Sequence, residues 1–251
     1  MSRTNTVEDS KNIAIRVENL SKTFKTYSGK FNALDGVSFS VNKGSFVVIS
    51  GENGSGKSVL MSIIAGLEKP TSGTVYTSSN VGLILQDADA SILGDTPKDD
   101  VMFGLVSNKI KKKDAETSAE NVLKRTGLYE KRDFPSHYLS GGEKRRLALS
   151  SILALGFNTI ILDEPYSNLD YKGVKEVNSL IISLLKDGVT IILLTHEIEK
   201  CLGRADKLIV LQSGRVVFDG SCKEALSEDL LKWGIKNPLL SYNSLSDLFW
   251  E

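Results

Sequence analysis

The sequence predicts an α/β fold with a mostly parallel sheet, an antiparallel β subdomain and an inserted helical subdomain. Continuous apolar runs, typical of parallel strands that helices cover on both faces, occur in "SFVVIS", "VGLIL", "TIILD" and "TIILLT". The runs "IAIRVENL" and "ALDGVSFSV" instead alternate apolar and polar residues, as antiparallel strands with one wet face do. From about Asp87 to Leu149 no strong buried-strand pattern occurs, so this span is predicted to be the helical insertion.

Local patterns assign two further elements. The segment "DAETSAENVLKRTG" predicts a helix with four apolar residues on one face: Ala115, Ala119, Val122 and Leu123. Gly127 is suited to end this helix, and the basic run 109–113 is expected to be its solvated lead-in. Near the C-terminus, "DKLIVLQSGRVVFDG" predicts a hairpin that turns at Ser213 and Gly214.

Composition and charge argue against several classes of protein. Of 251 residues, 41% are apolar and 25% charged, which is ordinary for a globular chain with one large domain. The 31 basic residues balance the 31 acidic ones, so no net field would attract nucleic acid or anionic lipid.

The polar start "MSRTNTVEDSKN" does not fit a signal peptide, and the apolar runs are too short to span a bilayer. Cys201 and Cys222 lack metal or redox spacing and suit a reducing cytosol. Membrane contact is therefore expected to go through a partner.

The segment "GENGSGKS", residues 51–58, has the composition and context of a loop that binds nucleotide phosphates. It follows a predicted strand and precedes the apolar-periodic "VLMSIIAGL", which is the strand–loop–helix order of a P-loop NTPase core. Backbone N–H groups from Asn53 to Lys57 can point at phosphate oxygens. Lys57 would reach the β- and γ-phosphates, and the Ser58 hydroxyl would ligate Mg²⁺. The alternative, a chance glycine turn, is disfavoured by motif and context together.

Acidic residues follow another buried strand, in "TIILDEP". Asp163 can hold Mg²⁺ directly or through a water, and Glu164 can polarise an attacking water beyond the strand's carboxyl end. His196 ends a third buried strand at the same edge and is expected to contact a γ-phosphate. An acidic strand end before a turn at Pro165 is the structural alternative, which the phosphate loop disfavours. His137 has no such context and is expected to be structural.

A second glycine turn, in "LSGGEKRRLALS", stands in front of a predicted helix. Ser140 and the backbone of Gly141 and Gly142 could bind another anion at the helix N-terminus. Because one phosphate loop is already complete, this turn is interpreted as capping a nucleotide that another subunit holds. Each ATP would then join two subunits.

The chain resembles the ATP-binding cassette (ABC) ATPase family over nearly its whole length. Five motifs occur in family order, namely "GENGSGKS", Gln86, "LSGGE", "IILDEP" with "SNLD", and His196. The resemblance implies an ATPase domain over residues 13–235, with the helical subdomain at about 87–149 and a short tail at 236–251. It also implies a head-to-tail dimer with two ATP molecules at the interface.

The same resemblance implies roles for single residues. The second glycine turn corresponds to the family's signature turn, residues 140–143, which would contact ATP on the opposite phosphate loop. Gln86 would sense Mg²⁺, water and the membrane partner, and Asp170 would cross the interface. Phe24, or alternatively Tyr27, would stack on adenine. The predicted catalytic residues are Glu164, His196 and Gln86, and the predicted Mg²⁺ ligands are Ser58, Gln86 and Asp163. The predicted ATP contacts are Phe24, Gly51, Glu52, Asn53, Gly54, Ser55, Gly56, Lys57, Ser58, Val59, Ser140, Gly141, Gly142, Glu143 and Asp170.

The sequence departs from the usual family pattern at three places. Glu143 stands where Gln is usual, Val59 replaces a usual Thr, and Tyr166-Ser167-Asn168 replaces a more typical Thr-containing loop. None of these changes removes a reacting group, so the resemblance implies an active ATPase.

Within the family, "QDADASILGDTPKDDVMFG" looks most like the ATPase component of energy-coupling factor transporters, which include cobalt and vitamin importers. This implies a subunit at the cytoplasmic face of the membrane, paired with an identical or similar ABC ATPase and a transmembrane coupling subunit. No contact with the cargo or with nucleic acid is expected. The segment 86–104, with Asp87 and Asp89 near its start, is expected to be a loop that docks the membrane partner, although an ordinary connector is the alternative.

Two other classes are weighed against a transporter subunit. One is a non-transport ABC ATPase acting on nucleic acid or ribosomes, which usually carries a coiled-coil insertion or two cassettes in tandem. This chain has neither feature, and its neutral charge argues against a nucleic-acid footprint. The other is a cofactor-assembly ATPase with a soluble scaffold, which copurification with a soluble complex would reveal.

Overall fold

The computed structural model describes residues 12–27, 29–87 and 89–241. The described strands are β1 (Ile13–Thr26), β2 (Gly29–Asn42), β3 (Phe46–Ser50), β4 (Ser72–Thr77), β5 (Val81–Ile84), β6 (Thr159–Asp163), β7 (Thr190–Leu194), β8 (Lys207–Gln212) and β9 (Arg215–Gly220). The described α-helices are α1 (Lys57–Ile64), α2 (Pro97–Ser107), α3 (Lys112–Arg125), α4 (Gly141–Ala154), α5 (Tyr171–Lys186) and α6 (Cys222–Leu226). The polar start at 1–11 and residues 242–251 of the predicted tail lie outside the described residues.

The larger sheet has the strand order β5-β6-β7-β3-β8-β9, and only the β8–β9 pair is antiparallel. Alternate residues of its central strands are buried on opposite faces. Val48 and Leu162 pack in one apolar cluster with residues of α4 and α5, whereas Val47 and Ile161 pack in another with α1, β1 and β2. Burial on both faces explains the continuous apolar runs, and it confirms the prediction of a mostly parallel sheet.

The smaller sheet is antiparallel, in the order β2-β1-β4. The two predicted antiparallel strands are present, but β1 and β2 extend beyond the alternating segments. In the extension Phe24 pairs with Phe31 and Lys25 with Lys30, and these residues are exposed or only half-buried. Hydrophobic periodicity detects a strand only where one face is buried, so the extension carries no pattern. The hairpin turn at Ser213 and Gly214 is confirmed, with φ of 48° and 75°.

The helical insertion surrounds its own apolar cluster. Its members include Val101 and Leu105 of α2, Leu147 of α4, and the four residues predicted for α3: Ala115, Ala119, Val122 and Leu123. The prediction of a helical segment is therefore confirmed, and α3 ends before Gly127, which has a φ of 71°.

The prediction of a loop through 86–104 is wrong in its second half. Helix α2 begins at Pro97 in this segment, after Thr96 caps it by accepting a hydrogen bond from the Asp99 N–H at 3.2 Å. Proline is favoured at the first helical position, since its missing N–H would have no partner there. Val101, expected at a docking surface, is buried in the helical cluster.

Helix α4 joins the helical cluster to the core of the larger sheet. It runs without a break from Gly141 to Ala154, past the expected boundary at residue 149. Leu147 lies in the helical cluster, whereas Ala148 and Leu149 pack in the cluster under the sheet. The helix therefore belongs to both parts of the molecule.

Among residues 12–27, 29–87 and 89–241, no helix combines the length and apolar composition that crossing a bilayer requires.

Candidate functional site

The loop between β3 and α1 needs glycine at two positions for steric reasons. Gly51 and Gly56 have φ of 137° and 101°, a region that L side chains rarely adopt. A Cβ on Gly51 would lie 2.0 Å from the Leu211 carbonyl oxygen, and one on Gly56 would lie 2.5 Å from the Ala33 carbonyl oxygen. The loop is thus packed closely against β8 on one side and β2 on the other. A Cβ on Gly54 would meet no atom within 4 Å, so the loop is open there.

The turn between β8 and β9 supports the phosphate loop. The sequence contains no sign of this contact. The Gly214 N–H donates to the Ser55 carbonyl at 3.0 Å, and the Gly214 carbonyl accepts from the Asp35 N–H at 2.9 Å. Gly214 therefore links the phosphate loop to β2. The turn itself was predictable, but its contact with a loop about 160 residues away carries no local sequence signal.

Lys57 is held inside the loop. Its Nζ donates to the Gly51 carbonyl at 2.7 Å and to the Glu52 carbonyl at 2.9 Å. Burial lowers the pKa of Lys57, while the nearby Glu164 and Asp163 carboxylates act in the opposite direction. Lys57 therefore lies within electrostatic range of both acids.

The loop fits an anionic ligand such as a phosphate. The Ser55 hydroxyl is buried and has no hydrogen-bond partner among the described residues, which is costly unless a ligand or water satisfies it. Lys57 supplies a cation, and the N-terminus of α1 presents free N–H groups. Ser58, Glu52 and Asn53 are exposed and Val59 is half-buried beside them.

The predicted acids lie at the end of β6, beside the ends of β7 and β3. Asp163 pairs with Leu194 in register, and Leu194 pairs with Ile49 of β3. Glu164, the next residue after Asp163, has a left-handed backbone conformation with φ of 45°. Its N–H donates to the Leu194 carbonyl at 2.9 Å. The parallel register therefore brings the acids to the same edge as the phosphate loop, as the sequence predicted.

The Glu164 carboxylate is fixed by two neighbours on the segment after β7. Thr195 Oγ1 donates to Glu164 Oε2 at 3.0 Å, and His196 Nδ1 lies 3.0 Å from Glu164 Oε1. Because an ionised carboxylate only accepts hydrogen bonds, Nδ1 of His196 carries the proton in this contact. The structure thus brings Glu164 and His196 together. Thr195 was missed by the sequence reasoning, although its place directly before His196 was a usable signal.

Burial raises the pKa of Asp163, and the adjacent Glu164 charge raises it further, while Lys57 lowers it. Two carboxyl groups side by side repel each other when both are ionised. A bound cation would relieve this repulsion. The arrangement therefore favours a site that takes a metal ion with an anionic ligand.

A second group of predicted residues lines a separate open cleft of about 880 Å³. Its lining includes the predicted residues Gln86, Ser140, Gly141, Gly142, Glu143 and Asp170. None of residues 51–58 is among the described residues that line this cleft. The predicted site residues therefore fall into two groups, a first surface at the phosphate loop and the strand ends and a second surface at the signature turn with Gln86. Gly142 and Asp163, one from each group, line a further cavity together.

The signature turn is a well-capped helix start. Ser140 Oγ accepts from the Glu143 N–H at 3.3 Å, while Glu143 Oε2 accepts from the Ser140 N–H at 2.9 Å. Lys131 forms an ion pair with Glu143 Oε1 at 2.6 Å. Burial alone would raise the pKa of Glu143, but Lys131 and the Ser140 N–H lower it overall. The Glu143 carboxylate thus caps its own helix and pairs with Lys131. Only the ion pair uses the negative charge that distinguishes Glu from the usual Gln.

The two aromatic candidates for a base contact differ in their surroundings. Phe24 is half-buried in β1, opposite Phe31, and the Lys22 ammonium lies 4.9 Å from its ring centroid. Tyr27 is fully exposed at the end of the same hairpin. Strand β2 of this hairpin touches the phosphate loop through Ala33. Both aromatics therefore remain predictions for the adenine contact.

Arg145 connects α4, the helix that begins at the signature turn, to the turn after Glu164. Its guanidinium is half-buried and donates to the Ser167 carbonyl at 2.8 Å and to Ser167 Oγ at 3.3 Å. Ser167 Oγ in turn donates to the Glu164 carbonyl at 2.9 Å. The sequence shows Arg145 only as one of several basic residues on α4, so this role could not be predicted.

Comparison with known proteins identifies the family. Residues 34–167 match the family described as ABC transporter. The energy-coupling factor transporter ATP-binding protein EcfA of Carboxydothermus hydrogenoformans is 36% identical over 243 residues, which cover 91% of this chain and 89% of that protein. The structure of cbiO1 from Clostridium perfringens, part of the ABC transporter complex cbiONQ, has a TM-score of 0.78 at 32% identity, covering 86% of this chain and 92% of that chain.

A second similar structure is a dimeric ATP-binding cassette in a post-hydrolysis state, bound to ADP and Pi. It has a TM-score of 0.74 at 26% identity, covering 83% of this chain and 98% of that chain. These matches confirm the α/β P-loop fold and the resemblance drawn from the five motifs. Since the matched residues run from β2 through the turn after Glu164, and the relatives cover most of both chains, this chain belongs to the ABC transporter family of ATP-binding cassette ATPases.

Proposed function

We propose that this chain binds ATP with Mg²⁺ and hydrolyses it as the ATP-binding subunit of an energy-coupling factor importer of a vitamin or a transition-metal ion. The observation that carries the proposal is the joint placement of Lys57, Asp163, Glu164 and His196 at one sheet edge. The names of the relatives favour a transporter subunit over an ATPase of cofactor assembly or nucleic acid.

The residues of the first surface would share the work of hydrolysis. The loop N–H groups and Lys57 would bind the β- and γ-phosphates, which requires Lys57 to exchange its present carbonyl partners for phosphate oxygens. Ser58 and Asp163 would hold Mg²⁺, which neutralises charge on the phosphates. Glu164, oriented by Thr195 and His196, would accept a proton from the attacking water.

The second surface would complete the site of another subunit. Ser140, Gly141 and Gly142 lie in the open cleft, apart from the phosphate loop of their own chain. A helix N-terminus attracts an anion, so this turn suits the γ-phosphate of a nucleotide that a second ATPase subunit holds. The dimeric cassette with ADP and Pi supports this arrangement by similarity.

Substitution of Asp163 by Asn is expected to stabilise the nucleotide-free protein at neutral pH while weakening stabilisation by Mg-ATP. The pKa of Asp163 is raised in the folded state, so its ionised form destabilises the fold at pH 7. That penalty disappears as the pH falls through the folded pKa towards the ordinary value, about 4. Since the carboxyl group is partly exposed, the gain should be small, on the order of 2 °C in melting temperature.

Thermal unfolding at pH 7 and near pH 4, with and without Mg-ATP, would measure this effect. Asp219→Asn on β9 serves as a control for loss of a partly exposed carboxylate outside the site. A lower melting temperature for Asp163→Asn at pH 7 without nucleotide would contradict the electrostatic picture. An undiminished shift on adding Mg-ATP would contradict the metal role of Asp163.

We propose that the transmembrane partner docks on the exposed apolar side of α2. Phe103 and Val106 are three residues apart on this helix, with 56% and 51% of their surfaces exposed. Docking through Asp87 and Asp89 is expected from the sequence, but Asp89 pairs with Lys144 of α4 at 2.5 Å. Reversing its charge would therefore disturb the signature region as well as any docking.

The double substitution Phe103→Ser with Val106→Ser is expected to reduce recovery of the membrane complex at least about tenfold, since buried apolar anchors contribute more than about 1 kcal/mol each. ATP hydrolysis by the isolated chain should stay within about twofold of wild type, because both side chains face away from the helical core. Val217→Ser on the edge strand β9 is the matched control. Detergent pull-down and substrate uptake at wild-type level would refute docking at α2.

A further inference from the structure

The turn after Glu164 needs support from its surroundings. Glu164 and Asn168 both have positive φ, 45° and 59°, although neither is glycine. Such residues cost about 1–3 kcal/mol each and persist only where neighbouring contacts hold them. Tyr166 lies between them and is only 1% exposed, in the apolar cluster under the larger sheet.

The Tyr166 hydroxyl begins a chain of hydrogen bonds that ends near His196. It donates to Asn178 Oδ1 at 2.6 Å, and Asn178 Nδ2 donates to the Lys200 carbonyl at 2.8 Å. Asn178 lies on α5, and Lys200 ends the short helical turn Ile198–Lys200 that follows His196. The side chain of Tyr166 thus reaches the segment that carries His196 through a single intervening residue.

Other contacts fix the same two segments to each other. The Lys200 ammonium lies 5.8 Å from the centroid of the Tyr166 ring. Within the segment, the Glu197 N–H donates to Thr195 Oγ1 at 3.0 Å, and Thr195 Oγ1 holds Glu164. Burial strongly raises the pKa of Tyr166, and Cys201 beside it adds to the effect, so the hydroxyl remains a donor at physiological pH.

We infer that Tyr166 is a positioning residue for ATP hydrolysis, which through Asn178 sets the placement of the Glu164 turn relative to the His196 segment. The inference rests on the proposed function, because its readout is hydrolysis. Among the described residues, the Tyr166 hydroxyl bonds to Asn178 and not to the phosphate loop, so its effect on hydrolysis would pass through Glu164 and His196. It belongs to the three-residue stretch in which the sequence departs from the usual Thr-containing loop.

Tyr166→Phe tests the hydroxyl alone, because phenylalanine keeps the ring that fills the apolar cluster. If the activation barrier rises by the worth of one such hydrogen bond, about 1 kcal/mol, kcat falls about fivefold. The KM for ATP should change by less than about twofold, since the phosphate loop makes none of these contacts. Tyr76→Phe on β4, an exposed tyrosine on the other sheet, is the matched control.

The pairing with Asn178 gives a second, independent test. Asn178→Ala should lower kcat by a similar factor, and the double variant Tyr166→Phe with Asn178→Ala should be no slower than the worse single variant. Residues that act through one hydrogen-bond chain show such non-additive effects. Should Tyr166→Phe fail to fold, Asn178→Ser decides the question by the same comparison of kcat with KM.

Steady-state kinetics of the full-length chain with its membrane partner, together with melting temperatures, would decide the matter. A lower melting temperature with wild-type kcat would assign Tyr166 a purely structural role and overturn the inference. Multiplicative losses in the double variant, or a raised KM at constant kcat, would overturn it as well. A failure of the proposed function would look different, because wild type and Tyr76→Phe would then both be inactive.

Discussion

Glu164→Gln is expected to lower steady-state ATP hydrolysis by about 10²–10⁴-fold, the range that a general base contributes, while leaving ATP binding intact. An amide has nearly the size of the carboxylate but cannot accept the proton of the attacking water. Its single oxygen could also satisfy only one of the two present donors, Thr195 Oγ1 and His196 Nδ1. The substitution therefore removes both the base and part of its orientation.

Phosphate release and equilibrium nucleotide binding, measured on the same preparation, would show the separation of the two steps. Glu199→Gln is the matched control, since Glu199 is an exposed residue of the turn after His196. The control should hydrolyse ATP at the wild-type rate. A wild-type rate for Glu164→Gln would exclude the role proposed for Glu164.

Ser140→Arg is expected to abolish ATP-driven dimerisation in a Glu164→Gln background and to leave nucleotide binding by the single subunit unchanged. The new side chain would fill the cleft beside Gly141 and Gly142, where the partner's nucleotide would sit. The phosphate loop of the same chain lies on the other surface, so its own binding should not respond. Light scattering with and without Mg-ATP measures dimerisation, and equilibrium binding measures the monomer.

Ser140 also caps α4, so loss of the cap must be separated from the added bulk. Ser140→Ala removes the cap at a cost of about 1 kcal/mol in the free energy of unfolding, without filling the cleft. The alanine variant should show a lower melting temperature but dimerise better than the arginine variant. Loss of monomer binding in Ser140→Arg would mean that the turn contacts the nucleotide of its own subunit.

The central sheet and the first half of the site were predictable because both depend on local patterns. Strands buried on both faces are apolar throughout, and parallel strands end at one edge, so Asp163, Glu164 and His196 had to meet near the phosphate loop. The interpretation that the signature turn acts on the nucleotide of another subunit also came from the sequence, since the chain already contained a complete phosphate loop, and it stays a prediction.

The parts that could not be predicted depend on contacts between distant residues. Nothing near Gly214 indicates that it supports Ser55, and nothing near Arg145 indicates that it holds Ser167. The loop predicted around Pro97 is a helix from that residue onward. The sequence does not distinguish the two, because proline occurs both at the first position of helices and within loops. Tyr166 was visible as a departure from the family, but its partner Asn178 was not.

Helix α4, which packs against both apolar clusters, is long enough to turn a small rotation into a large displacement of its N-terminal end. Its 14 residues span about 21 Å from the end at Ala154 to the start beside Ser140. A tilt of α4 by about 10° about its Ala154 end would displace the signature turn by about 4 Å, more than the length of a hydrogen bond. A small change in the angle of α4 is therefore enough to make or break contact with a nucleotide held across an interface. Side chains at the Ala154 end, far from any phosphate, should consequently influence how readily two subunits close.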